Sequence, residues 1–175
     1  MNTNQKTLKL VKMALIVAVY VAVTGIFAPI SFGNIQFRIS EILVLLVFVD
    51  VLYLIPLTVG CAISNFLFTT MGMVDVVCGT GATFLALVMI YFTKQFMIKR
   101  EVKNTTVVLF MASIWAAIVN GFIIGAELYY VLQLPFWLSV VQVAVGEFVV
   151  VSILGVIVFK YILSNDRLKD KLILG

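Results

Sequence analysis

Residues 106–126 read TVVLFMASIWAAIVNGFIIGA and contain no charged side chain. A membrane-spanning helix needs about 20 consecutive apolar residues, so this stretch predicts one span. Similar stretches occur along the whole chain, and the predicted helices are 8–28, 41–54, 57–72, 76–97, 106–126 and 135–163. The second and third are kept apart because Pro56 interrupts an apolar stretch that is too long for one span. The sequence therefore predicts an all-α integral membrane protein, with six transmembrane helices in a single domain over residues 1–175.

The composition supports a membrane protein and excludes several other classes. Of the 175 residues, 63% are hydrophobic and only 11% are charged, whereas a water-soluble domain is about 45–50% apolar and about 25% charged. The chain has no histidine, which excludes Ser-His-Asp catalysis and histidine metal sites. It also has no phosphate-binding GxxxxGK loop, so it cannot itself hydrolyse ATP through one. We therefore expect no enzyme activity and no cofactor or metal. The net charge of +4 is too small and too localised to suggest a nucleic-acid partner.

Basic residues set the predicted orientation. They cluster at the amino end, in the middle and at the carboxyl end, as Lys6, Lys9, Lys12; Lys94, Lys99, Arg100, Lys103; and Lys160, Arg167, Lys169, Lys171. The positive-inside rule places all three clusters in the cytoplasm. The chain must then cross the membrane an even number of times between one cluster and the next. Four spans before the middle cluster and two after it satisfy this condition. Both termini are predicted to be cytoplasmic.

Some acidic residues fall inside or beside the predicted helices. Glu147 lies about 18 Å into the last helix, close to the middle of the bilayer. A carboxylate at that depth is a candidate for function because burying it is costly. Glu41 could instead form a local ion pair with Arg38, and Asp75 could cap the helix that begins near residue 76. Asp50 is predicted to be structural or part of an inner gate.

Polar and apolar residues alternate over residues 34–40, where Asn34, Gln36, Arg38 and Ser40 are the polar members. A period of two predicts an extended segment with one polar and one apolar face. Between the first two helices, such a segment could close over a pocket as a lid. The alternative is a loop that lies on the lipid headgroups.

The fifth helix carries Ser113, Asn120 and Glu127 at seven-residue spacing, which places them on one face. Glu127 is predicted to lie near the outer end of this helix. Gly121 and Gly125 form a GxxxG pattern nearby, which allows another helix to approach closely. We expect that pattern to serve internal packing.

The first helix carries a stripe of small residues. Ala14, Ala18 and Ala22 form this stripe, which could pack internally or dock a partner protein.

The last helix carries two polar candidates for a pocket. Gln142 and Glu147 are about 140° apart around this helix and cannot both point straight into one pocket. Glu147 is the preferred candidate of the two.

This set of polar residues predicts the character of a ligand. A carboxylate can accept two parallel N–H bonds from an amidine-like edge. A second carboxylate can neutralise an ammonium group, and an arginine or glutamine can donate to a carbonyl. The excess of acids over the single Arg38 favours a neutral or cationic small molecule rather than a phosphate.

Several stretches resemble one transporter family. They are IQFRISE at 35–41, DVVCGTGAT at 75–83, the run 120–127, PFW at 135–137 and Gly146-Glu147. In this order and spacing they resemble the QueT family, queuosine-precursor substrate-binding (S) components of energy-coupling factor (ECF) transporters. The resemblance extends from about Lys12 to Lys160.

The resemblance implies a bacterial cell-membrane protein that captures a 7-deazaguanine, such as 7-aminomethyl-7-deazaguanine, from outside. It also implies two kinds of partner, a transmembrane T component docked on Ala14, Ala18 and Ala22, and two cytoplasmic ATPases that supply the energy. Our hypothesis for the substrate-binding residues is Gln36, Arg38, Glu41, Asp75, Asn120, Glu127 and Glu147. Three alternatives stay open, namely an S component for another vitamin or nucleobase, an autonomous facilitator or channel subunit, and a membrane-embedded enzyme that acts on lipid.

Overall fold

The computed structural model describes residues 3–33 and 35–174, and side chains from Gln5 onward except Asn34. The helices in chain order are α1 (Thr3–Ile26), α2 (Ala28–Ser31), a 3₁₀ helix (Ile39–Leu45), α3 (Leu46–Val49), a 3₁₀ turn (Val51–Tyr53), α4 (Leu54–Phe68), α5 (Met73–Lys99), α6 (Thr105–Leu132), α7 (Phe136–Glu147), a π-helical stretch (Phe148–Gly155), α8 (Val156–Ser164) and α9 (Asp166–Leu172). The stretch from α7 to α8 is one continuous helix whose middle is wound more widely. The all-α prediction is confirmed.

Within the described residues, five helices are long and apolar enough to cross a membrane. They are Gln5–Ile26, Val51–Phe68, Met73–Lys99, Thr105–Leu132 and Phe136–Ser164. This agrees with an integral membrane protein. The sixth apolar helix, Ile39–Val49, is shorter than a normal span, so the count of six spans stays a prediction, as does the orientation of the termini.

The predicted helix 41–54 differs most from the structure. It is a 3₁₀ helix followed by the short α3, and the chain then becomes extended at Asp50 (φ −141°, ψ 128°). The Asp50 carboxylate accepts a hydrogen bond from the Leu52 N–H at 2.9 Å. That local bond competes with a continuous helix and explains why the helix stops at this residue.

Small residues allow α6 and α7 to pack closely. A Cβ on Gly125 would lie 2.8 Å from the Val140 Cα, and one on Gly121 would lie 2.9 Å from the Ala144 Cβ. Neither position has room for a side chain. The GxxxG pattern therefore serves internal packing, as predicted.

The stripe on α1 faces away from the bundle. Ala14, Ala18 and Ala22 are exposed, whereas Tyr20 and Thr24 on the opposite face are fully buried. The stripe is therefore not the face of α1 that packs against the described part of the bundle.

The end of the bundle that carries the basic clusters is tied together by the carboxyl-terminal segment. The Leu174 N–H donates to Asp50 at 2.8 Å, and the Tyr53 hydroxyl donates to the Leu172 carbonyl at 2.8 Å. Asp50 thus has a structural role at this end.

Candidate functional site

The segment before the 3₁₀ helix turns its polar face inward. Gln36, Arg38 and Ser40 are buried, whereas Ile35 is exposed and Phe37 is half-buried. The predicted alternation is therefore present, although the Asn34 part of it lies outside the described residues. The apolar face points outward, which is the arrangement expected of a segment that contacts lipid on one side and a polar interior on the other.

A glycine in the last helix lets this segment reach deep into the bundle. A Cβ on Gly146 would collide with the Gln36 carbonyl oxygen and would lie 2.9 Å from its carbonyl carbon. The Phe37 N–H donates to the Ile30 carbonyl at 3.0 Å and anchors the segment from the other side. Gln36 thus lies against the residue that precedes Glu147.

Glu41 is fully buried and is held by residues from two other helices. Its Oε1 accepts hydrogen bonds from the Tyr20 hydroxyl on α1 and from the Thr83 hydroxyl on α5, the latter at 3.0 Å. Arg38 Nη1 lies 3.9 Å from the same oxygen, so the local ion pair that the sequence left open as an alternative is present. The other oxygen, Oε2, has no hydrogen-bond partner among the described residues. Glu41 is therefore fixed in position with one oxygen available.

Arg38 is 2% exposed and is enclosed by groups of different kinds. Its guanidinium lies 5.1 Å from the centre of the Phe32 ring, and Nη1 lies 3.8 Å from the Cys61 sulfur. Electrostatic attraction links it to Glu127 and Glu147. Its Nε and Nη2 have no hydrogen-bond partner within the described part of the chain. Because arginine stays charged in proteins, this is a buried cation with donors to spare.

The four carboxylates form two neighbouring pairs. Glu147 interacts electrostatically with Glu41, and Glu127 with Asp75. All four side chains are 0–4% exposed. In the part of the chain that is described, the buried carboxylate oxygens without a hydrogen-bond partner are Glu41 Oε2, Asp75 Oδ1 and Oδ2, Glu127 Oε1 and Oε2, and Glu147 Oε2. Burying unpaired acceptors is costly, so the site suits a ligand that is rich in N–H donors.

Comparison with known proteins identifies the family. The family described as QueT transporter matches residues 10–164. The chain belongs to the QueT transporter family. A relative from Lactococcus lactis subsp. cremoris (strain MG1363), named queuosine precursor transporter QueT, is 37% identical over 153 residues, which cover 83% of this chain and 86% of the relative. No solved structure matches the chain significantly.

In this QueT family member, the predicted site residues differ in which of their hydrogen-bonding groups are available to a ligand. Gln36 Nε2 has no hydrogen-bond partner among the residues described and is available as a donor. Asn120 Nδ2 already donates to the Ala116 carbonyl of its own helix at 3.1 Å, which leaves it one further N–H. Asp75 is not a helix cap, because α5 begins earlier, at Met73.

The last helix separates its two polar candidates as expected. Glu147 is buried at 2% exposure, whereas Gln142 is only half-buried. The π-helical stretch begins directly after Glu147. Such stretches are rare and are frequent at functional sites.

Sequence reasoning missed Tyr20 and Thr83, the two residues that hold Glu41. Tyr20 and Thr24 are polar residues four apart on an otherwise apolar part of α1, and that spacing was a usable signal for an inward face that includes Tyr20. Thr83 lies in the stretch 75–83 that carries the family resemblance, but a threonine in a membrane helix more often bonds to its own helix. Its contact with Glu41 becomes visible only in the fold.

Proposed function

We propose that this QueT family member is the S component of an ECF transporter in a bacterial cell membrane. It captures a queuosine precursor, a 7-deazaguanine such as 7-aminomethyl-7-deazaguanine, from outside for ATP-driven uptake. The name of the Lactococcus relative supports the substrate class. The observation that carries the proposal is the buried site, in which Glu41, Glu127 and Glu147 interact with the buried cation Arg38 and Asp75 interacts with Glu127.

The ligand's functional groups match those of the site. A 7-deazaguanine offers two parallel N–H donors on one edge and a carbonyl acceptor beside them, and its aminomethyl group is a cation. Parallel N–H donors need a carboxylate with both oxygens available, and the carbonyl needs a donor such as Gln36 or Arg38. The ammonium needs a second carboxylate, and its charge offsets part of the excess negative charge.

The available oxygens suggest which carboxylate takes which group. Among the described residues, neither oxygen of Asp75 or of Glu127 has a hydrogen-bond partner, whereas Glu41 has one oxygen occupied by Tyr20 and Thr83. Glu127 and Asp75 therefore suit the two-donor edge of the ring. Glu41 and Glu147 suit the ammonium, which can be held by single oxygens.

Residues 35–38 are suited to closing the site. Gln36 and Arg38 are buried on this segment while Ile35 is exposed, so the segment forms one wall between the site and its surroundings. A ligand must displace a wall to enter, and the segment has no regular helical hydrogen bonds to hold it. We propose that it opens for entry and closes over the ligand with its two donors.

The binding test uses the purified full chain and isothermal titration with 7-aminomethyl-7-deazaguanine. A hydrogen bond to a charged group contributes about 1.5–3 kcal/mol, so Glu147→Gln or Glu127→Gln should weaken binding by about 10- to 100-fold. Glu101→Gln removes an exposed carboxylate at the other end of the bundle and should leave affinity unchanged. Unchanged affinity in Glu41→Gln, Glu127→Gln and Glu147→Gln alike would reject this site.

The energising partners are tested through the exposed stripe. Replacing Ala14 and Ala18 with tryptophan should abolish ATP-driven uptake into liposomes that contain a T component and two ATPases, while ligand binding persists. The matched control places tryptophan at Leu15 and Val19, which are exposed on the adjacent face of α1. Survival of uptake in the Ala14/Ala18 variant argues against docking there. Uptake by the chain alone without ATP would identify an autonomous facilitator instead.

A further inference from the structure

The end of the bundle opposite the carboxylate site holds a cavity with a mixed lining. It has a volume of about 210 Å³ and lies between α3, α5, α6, α8 and α9. Apolar side chains such as Phe48, Ile98 and Leu163 form most of its wall, and Lys94 and Lys169 contribute the charges. A space with apolar walls and two ammonium groups is suited to an amphiphilic anion.

The positive charge of this cavity is only partly balanced. Lys94 and Lys169 are close enough to repel each other, and Asp50 is the acid that attracts Lys94. The Asp50 carboxylate already accepts hydrogen bonds from the N–H groups of Leu52 and Leu174. Lys94 also lies 5.3 Å from the centre of the Phe48 ring. An additional anion would relieve the repulsion between the two lysines.

A second cavity adjoins the first. It has a volume of about 260 Å³ and shares Thr105 and Leu163 with its neighbour, and its polar lining includes Lys160 and Ser164. Both cavities lie where apolar spans end and basic residues begin, which is the level of a membrane interface. The positive-inside rule predicts that this interface faces the cytoplasm.

We propose that the two adjoining cavities bind an acidic phospholipid of the cytoplasmic leaflet. The lipid phosphate lies between Lys94 and Lys169, and the first carbons of its acyl chains lie along the apolar walls. Basic pockets between membrane helices on this side are the sites at which anionic headgroups bind. Because Lys169 belongs to α9, the bound lipid also holds the carboxyl-terminal helix against the bundle. This site is independent of the transported substrate.

The test is native mass spectrometry of the full chain in detergent, titrated with phosphatidylglycerol and with phosphatidylcholine of the same acyl chains. The wild-type chain should bind one phosphatidylglycerol at least tenfold more tightly than phosphatidylcholine. Each lysine near an anionic headgroup contributes about 1 kcal/mol, which is about fivefold in affinity. Lys94→Gln combined with Lys169→Gln should therefore weaken phosphatidylglycerol binding by about 30-fold.

Two further variants separate this site from general electrostatic attraction. Lys99→Gln with Lys103→Gln removes the same charge from exposed positions at the same interface, and it should keep the wild-type affinity. Val102→Trp fills the first cavity without changing any charge and should abolish selective binding.

Three results would overturn the proposal. Equal losses in the two lysine pairs would indicate non-specific attraction, and no preference for phosphatidylglycerol would exclude a headgroup site. Displacement of the lipid by millimolar inorganic phosphate would identify a site for free phosphate rather than for a lipid.

Discussion

Gly146→Ala tests whether the segment 35–38 really lies inside the bundle. The added Cβ would collide with the Gln36 carbonyl oxygen and would lie 2.9 Å from its carbonyl carbon. Both atoms belong to the backbone, which cannot rotate away as a side chain can. Overpacking of this kind costs about 1–3 kcal/mol, and alanine regains about 1 kcal/mol in helix propensity. The net loss of stability is therefore at most about 2 kcal/mol. It is at the upper end of that range because both clashing atoms are backbone, and the clash is relieved by movement of the segment away from the last helix.

The assay pairs thermal unfolding with ligand titration, and Gly81→Ala is the matched control. A Cβ on Gly81 meets no atom within 4 Å, so that variant should gain about 1 kcal/mol from helix propensity alone. Gly146→Ala should unfold at a lower temperature than the wild type and bind ligand at least tenfold more weakly, because Gln36 and Arg38 move with the segment. Wild-type stability and affinity in Gly146→Ala would refute the buried position of this segment.

Three other substitutions examine separate parts of the structure. Tyr20→Phe removes a hydrogen bond to the buried Glu41 and should cost about 1–3 kcal/mol of stability, as measured by thermal unfolding; an unchanged unfolding temperature would contradict that bond. Asp50→Ala removes the acceptor of the Leu174 N–H and should expose the carboxyl-terminal lysines to trypsin, whereas wild-type cleavage rates would show that Asp50 does not tie this segment down. Gly125→Val places a side chain against the backbone of α7 and should prevent folding or cost about 3 kcal/mol, since the Val140 Cα and N would lie within 2.9 Å of the new Cβ and cannot rotate away. A well-folded variant would count against the α6–α7 packing.

The long helices were predictable because hydropathy and length determine them. An uninterrupted apolar stretch such as 106–126 must form a helix in lipid, because its backbone N–H and C=O groups can only bond to each other there. The break at Asp50 was not predictable from hydropathy, because it arises from one side chain that bonds to the Leu52 N–H and to a residue more than 120 positions later. The π-helical stretch after Glu147 likewise leaves no pattern in an apolar sequence.

The site was predictable to the extent that buried carboxylates stand out in an apolar chain. Glu41 and Glu147 were singled out because charge inside a membrane is costly. The contacts that hold these carboxylates could not be predicted from the sequence. The hydrogen bond from Tyr20 to Glu41, for example, depends on how α1 packs against the 3₁₀ helix. The alternation over residues 35–40 indicated two faces, but only the position of Gly146 determines that the polar face is turned inward.

The identity of the small molecule that co-purifies with the full chain tests the central claim most directly. The chain is purified gently from cells that contain queuosine precursors, and the released molecule is identified by mass spectrometry, with Glu147→Gln prepared in parallel. The account predicts a 7-deazaguanine such as 7-aminomethyl-7-deazaguanine, present with the wild type and depleted with the variant. A different ligand, or the same amount of 7-deazaguanine with Glu147→Gln, would contradict it.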